Sequence, residues 1–118
     1  MTCQGCRIWL STEETKGIHI IIPEGEMVSG EGDQELRDEL VRLIEEGHYK
    51  VAVDFSRVPY IDSSVLGQLL HGYAQLQQLG GTLKILGLSK RIQGLLELTR
   101  LITVFEVFSD REELLNSW

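Results

Sequence analysis

Cysteine, proline, histidine and cationic side chains are all scarce in this chain of 118 residues. The 2 cysteines sit close together as Cys3-Gln4-Gly5-Cys6. Such a C-x-x-C is a redox pair or half of a zinc site, and a zinc site needs about two more ligands. The 3 histidines, His19, His48 and His71, are scattered with no ligand-like spacing. A thioredoxin-like pair belongs after a strand, at the start of a helix. The expectation is therefore an inert tail over residues 1–6, no metal and no cofactor, and one folded domain over 7–118. The 2 prolines, Pro23 and Pro59, each follow an apolar run and are read as breaks in it.

Lysine and arginine total 11 against 18 aspartates and glutamates, a formal net charge of −7. That surface repels nucleic acid and anionic lipid headgroups. It suits a basic protein partner, although acidity is also ordinary in soluble domains. Long apolar runs are missing: nothing approaches the roughly 20 residues of a membrane span, so no membrane insertion is expected. Residues Met1–Cys6 lack the basic start and apolar stretch of a secretory signal, and a cytoplasmic location follows as the expectation. Catalytic signatures are missing as well. There is no G-x-x-x-x-G-K-[ST] phosphate loop and no histidine placed with a serine or cysteine. Leu79-Gly80-Gly81-Thr82 reads as a helix stop, and the acidic pairs Glu13-Glu14, Glu45-Glu46 and Glu112-Glu113 read as solvated faces. The chain is not expected to be an enzyme.

What is present is the composition of one globular domain, 42% hydrophobic and 25% charged. Arg7–Leu10 reads as a short edge strand and Ser11–Gly17 as a polar turn. Ile18–Ile22 is a strong strand ended by Pro23. Glu24–Gly32 reads as a loop, with a brief extended piece at Met27 and Val28. Asp33 caps a helix carrying Leu36, Leu40, Leu43 and Ile44, and Gly47 ends it. Val51–Phe55 is a buried strand, rich in β-branched residues. After a turn, Leu66, Leu69, Leu70, Tyr73 and Leu76 form one helical stripe that stops at Gly80-Gly81. Thr82–Leu86 is the next strand, and Ser89 caps a helix with Ile92, Leu95 and Leu96. Val104–Phe108 alternates as a final strand, and Ser109-Asp110-Arg111-Glu112 has the spacing of a capping box before a last short helix. The order β-β-α-β-α-β-α-β-α predicts an α/β fold: a mixed, largely parallel sheet of four to five strands with about four helices packed on it.

The stretch Val51–Gly67 concentrates the chemistry. Its strand hands over through Ser56, Arg57 and Pro59 to Tyr60-Ile61, which pin the turn, and then to Asp62-Ser63-Ser64 at a helix start. Free N–H groups and the positive helix end favour negative charge there. Capping alone explains one such residue; three in a row exceed what a cap requires. The motif V-D-F-S-x-V-x-Y-I-D-S-S-x-L-G resembles the signature of the STAS family, named for sulfate transporters and anti-sigma factor antagonists. The resemblance implies a STAS-like domain from near His19 to the end of the chain. It further implies an anti-sigma factor antagonist in which Ser63, directly after Asp62, is phosphorylated by a partner serine kinase of the GHKL type and reset by a phosphatase. Asp62, Ser63, Ser64, Val65 and Gly67 would form the partner-binding surface. In that assignment Asp62 fixes the turn and orients the Ser63 hydroxyl or touches the partner. Ser64 is the N-cap, and Gly67 lets the first helical turn approach the sheet or a partner. One residue departs from the pattern: Val65 stands where phosphorylated members carry glycine, and its side chain would crowd a kinase cleft. That departure keeps open a second role, a non-phosphorylated adaptor subunit of a lipid-transport, stressosome-like or signalling assembly.

Overall fold

Alternation along the central strands gives the sheet two apolar faces, and helices cover both. The computed structural model describes residues 8–25 and 32–118. In chain order it contains β1 (Ile8–Thr15), β2 (Ile18–Gly25), α1 (Gly32–Glu45), β3 (Lys50–Asp54), α2 (Ser63–Gln78), β4 (Thr82–Leu86), α3 (Lys90–Leu98), a 3-10 turn (Leu101–Thr103), β5 (Val107–Phe108) and α4 (Arg111–Asn116). The strands form a 5-stranded sheet in the order β1-β2-β3-β4-β5. Only the β1–β2 pair is antiparallel; β2–β3, β3–β4 and β4–β5 are parallel. This is the α/β sheet that the element order predicts.

On one face Ile21, Val51, Val53, Leu83 and Ile85 pack with Leu36, Leu40 and Leu43 of α1, Val65, Leu69 and Leu76 of α2, and Ile92 and Leu96 of α3. On the other face Ile18, Ile20, Ile22, Ala52 and Leu86 meet Leu114 of α4, with Phe108, Leu115 and Trp118 at the margin. The close helix–helix contact falls between α1 and α2. A Cβ on Gly72 would stand 2.9 Å from Leu40 Cδ1, so glycine is what lets these helices approach. Helix stops behave as their sequences indicate. Gly47 (φ +84°) and Gly80 (φ +83°) are left-handed, and Gly81 N donates to Leu76 O at 2.8 Å.

Several element boundaries differ from the sequence reading. Ser11–Thr15 is strand, not turn, and only Lys16 (φ 55°) and Gly17 (φ 78°) make the hairpin bend. Two successive positive φ values suit a two-residue hairpin. β1 is polar because it lies at the sheet's edge, and in sequence such polarity is indistinguishable from a turn. Pro23 does not end β2, which continues to Gly25 against Trp9 and Ile8. The β3 ladder has already stopped at Ile21, so no parallel partner is needed at Pro23. Glu24 and Gly25 therefore belong to β2 and Gly32 to α1, while Met27 and Val28 lie outside the described residues, as do Cys3 and Cys6. Asp33 sits within the first turn of α1, its Oδ1 accepting from Gln34 N at 2.9 Å. The final strand shrinks to Val107–Phe108. Val104 N donates to Leu101 O at 3.0 Å, closing a tight turn, and Val104 and Phe105 both pack on the same core. Their contacts follow the turn rather than a strand's alternation. Asp110, not Ser109, caps α4, accepting from Glu113 N at 2.9 Å.

Candidate functional site

The loop between β3 and α2 is held from below. Asp54 Oδ1 accepts from Ser56 N at 2.9 Å, and Phe55 N donates to Leu86 O at 2.8 Å. Phe55, Val58 and Ile61 are buried in the core. Three apolar anchors within seven residues leave the loop backbone little freedom. Pro59 and Tyr60 stay exposed between them.

Asp62 then opens α2. Its backbone is extended (φ −106°, ψ −178°), and its carboxylate caps the helix by accepting from Val65 N. That bond is 3.2 Å long, and the same Oδ1 accepts from the Ser64 hydroxyl at 2.8 Å. The assignments divide cleanly. Asp62 is the N-cap, correcting the expectation that Ser64 fills that place; Ser64 instead steadies the capping carboxylate. The helix already begins at Ser63, which puts Ser64 inside it, and an N-cap side chain reaches the N–H three residues on, as Asp62 reaches Val65. Ser63, the first helical residue, is exposed, and among the described residues no hydrogen bond engages its hydroxyl. Among the described residues the Asp62 carboxylate makes no hydrogen bond to the Ser63 hydroxyl.

Two further expectations are corrected. Val65 has no exposed surface and belongs to the core, so its side chain is not part of any surface a partner meets. The helical turn rotates it inward while Ser63 faces out. Gly67 is exposed, and a Cβ there would meet nothing within 4 Å. Within the fold, the close approach expected at Gly67 is made at Gly72 instead; the approach to a partner at Gly67 is a separate matter.

A second element is clipped to this loop. Ser89 Oγ accepts from Ile92 N at 3.2 Å, capping α3, and donates to Pro59 O at 3.2 Å. Arg91 lays its guanidinium 4.7 Å from the centre of the Tyr60 ring. Gly87 (φ +71°) makes the junction tight: a Cβ there would lie 2.9 Å from Ser56 Cβ and 3.2 Å from Asp54 Oδ1. Sequence reasoning found the Ser89 cap but missed Arg91. The signal was a cation at the second position of a helix next to a loop containing an exposed tyrosine, which only the fold makes adjacent.

The histidines are not all apart. His19 and His48 stack with ring centres 3.9 Å apart, because β2 and β3 run side by side with His19 opposite Val51. His19 Nδ1 is buried with no hydrogen-bond partner among the described residues. Burial first, then the neighbouring His48, lowers the His19 pKa below its ordinary value of 6.5. Among the described residues no group of three or more His, Cys, Asp or Glu is arranged to hold a metal ion. On α1, Arg42 binds Glu39 at 2.7 Å, and that hydrogen bond holds the Glu39 carboxyl below its usual range. No helix among the described residues is long and apolar enough to cross a membrane.

A mixed five-stranded sheet, covered on both faces and presenting an exposed serine at the start of α2, defines a small α/β domain. The chain belongs to the STAS domain family, whose sequence model matches residues 10–114. It is 37% identical over 73 residues to the anti-sigma-B factor antagonist of Staphylococcus epidermidis, covering 62% of this chain and 68% of that protein. Its fold is similar to an anti-sigma factor antagonist from Mycobacterium paratuberculosis (TM-score 0.83, 18% identity, 93% of this chain and 92% of that one). It is also similar to the Bacillus cell fate determinant SpoIIAA in its phosphorylated form (TM-score 0.74, 20% identity, 92% and 98%).

Proposed function

We propose that this protein is an anti-sigma factor antagonist, a regulatory binding protein switched by phosphorylation of Ser63. The observation that carries the reading is the division of labour at the helix start. Asp62 and Ser64 complete the cap between them, and Ser63 is exposed and needed for neither. The likeness to the Staphylococcus epidermidis antagonist supports the same role.

In this reading a GHKL-type serine kinase, itself the anti-sigma factor, docks on the surface around Ser63. It transfers the γ-phosphoryl of ATP to Ser63 Oγ. The new O–P bond forms as the bond to ADP breaks, and the kinase takes the hydroxyl proton. The product adds about −1.5 to −2 charges at pH 7. Within the fold, the first N–H groups of α2 accommodate that charge, although Asp62 opposes it. In the complex, a surface shaped for a neutral hydroxyl would bury an unpaired dianion at a cost of several kcal/mol. A penalty of about 4 kcal/mol moves a nanomolar complex to the micromolar range. The unphosphorylated protein captures the kinase and frees the sigma factor; the phosphorylated protein releases it until a phosphatase acts. The adaptor alternative drew on Val65 crowding a kinase cleft. With the Val65 side chain in the core, crowding no longer argues for it; the departure from glycine still can mark a subfamily with another partner.

The test mixes the protein with the kinase and ATP and reads intact mass. One phosphate is expected in the parent protein and in Ser64→Ala, and none in Ser63→Ala. Incorporation that survives Ser63→Ala overturns the assignment. Ser63→Asp is expected to weaken kinase binding while leaving the melting temperature nearly unchanged; a large loss of stability would make Ser63 a structural residue.

A further inference from the structure

Arg91 is a cation from a second element that the structure ties to the acceptor loop; the loop's own Arg57 pairs with Glu24 at 3.3 Å. Its guanidinium rests 4.7 Å from the Tyr60 ring centre, and both side chains are exposed. Helix α3 is held beside the loop, because Ile92 and Leu96 are buried in the core and Ser89 bonds Pro59 O at 3.2 Å while capping that helix. Ser63 leaves the same loop three residues beyond Tyr60, a Cα–Cα span of at most about 11 Å even if fully extended. The contact with Tyr60 is weak: an exposed cation–π pair contributes about 0.5–1 kcal/mol. A phosphate offers a stronger partner, because guanidinium and phosphate form charge-assisted, often bidentate hydrogen bonds. Unlike a lysine, arginine matches that geometry with its planar fork.

We propose that Arg91 is a phosphate-responsive arm: it lies on Tyr60 while Ser63 carries a hydroxyl and transfers to the phosphate once Ser63 is phosphorylated. This rests on the reading of Ser63 as the phosphoacceptor and adds a second consequence to it. Phosphorylation then changes the surface twice. It places a dianion at the start of α2, and it uncovers the face of Tyr60 while withdrawing a free cation from α3. A partner that engages Tyr60 and Arg91 together meets a rearranged patch as well as a new charge.

The experiment installs phosphoserine at position 63 during translation, so that no kinase is involved, and follows its second ionisation by phosphorus NMR. The ordinary value is about 6. In the parent background the pKa is expected about 0.5–1 units lower than in Arg91→Gln, with Arg91→Lys between them. Part of the difference should persist in 1 M salt, where the Debye length is only about 3 Å and a distant charge is screened out. The Tyr60 ring resonances should move on phosphorylation toward those of unphosphorylated Arg91→Gln. Equal pKa values in parent and Arg91→Gln, or Tyr60 resonances that do not move, overturn the proposal. Arg91 is exposed, so its variants are expected to melt with the parent. The kinase reaction separates the two readings. No incorporation at Ser63 overturns the switching function whatever the arginine does. An unchanged ionisation in the translated phosphoprotein overturns the arm alone, whatever the kinase does.

Discussion

Two glycines in one helix have opposite reasons to exist. Gly72 faces Leu40 Cδ1 at 2.9 Å from where its Cβ would be, whereas Gly67 faces open space. Both lie inside α2, where glycine costs about 1 kcal/mol relative to alanine. Gly67→Ala should therefore raise stability by about 0.5–1 kcal/mol, and Gly72→Ala should lower it by about 1–3 kcal/mol through overpacking, both read from urea midpoints. Equal effects would mean that the helix packing has been misread. If Gly67→Ala also weakens kinase binding, the glycine serves the partner rather than the fold. The cap is legible at this scale only in part. The sequence shows that one of Asp62, Ser63 and Ser64 caps α2; which one depends on the loop's exit angle, and that is set by the burial of Phe55, Val58 and Ile61.

Helix α4 is short, and a buried lysine adds to the hold that Leu114 gives it on the sheet. Lys84 lies on β4, its side chain only 7% exposed, and pairs with Glu106 at 2.9 Å. Its Nζ also donates to Ser117 O at 3.1 Å and Ser117 Oγ at 2.9 Å, and stands 4.4 Å from the Trp118 ring centre. The aliphatic stem completes the apolar face while the ammonium ties down the end of the chain that follows α4. Lys84→Ala should destabilise by about 2–4 kcal/mol, combining a cavity with the lost polar contacts. Lys84→Met, which keeps the volume, should cost about half that. In a Trp9→Phe background, Trp118 emission should shift red in the alanine variant. Unchanged emission would show that Trp118 is held by other contacts. Thr82–Leu86 was legible as a strand, but alternation alone gave no reason for a lysine on an inward face.

For the molecule as a whole, acid should act through particular groups before general protonation. His19 has its folded pKa lowered by burial and by His48; Arg42 also lowers it, while Glu14 and Glu46 work the other way. The unfolded chain thus binds a proton that the native state resists. Stability is fully present above the ordinary 6.5 and falls as pH drops through it toward the lower folded value. Glu39, depressed by Arg42, adds stability present above the ordinary carboxylate range and lost at more acidic pH. Denaturant midpoints should therefore decline between pH 7.5 and 5.5, roughly the window set by histidine. His19→Phe, which keeps a ring to stack on His48, should flatten that decline and leave the more acidic limb intact. A decline of the same slope in His19→Phe would remove the histidine from the account.

Local rules acting on neighbours in sequence already determined the order of strands and helices, although not all their bounds, that the sheet is mixed, and that Asp62-Ser63-Ser64 stand at the start of α2. Periodicity, caps and turn residues act within a few positions, so one dimension suffices for them. Tertiary structure alone decided what faces what. It turned Val65 inward and left Ser63 outward, moved the close helix contact from Gly67 to Gly72, stacked His19 on His48, set Lys84 under Trp118 and brought Arg91 onto Tyr60. These pairs are separated by tens of residues or depend on the rotation of a helix against the sheet. Both are consequences of packing, which no local window contains.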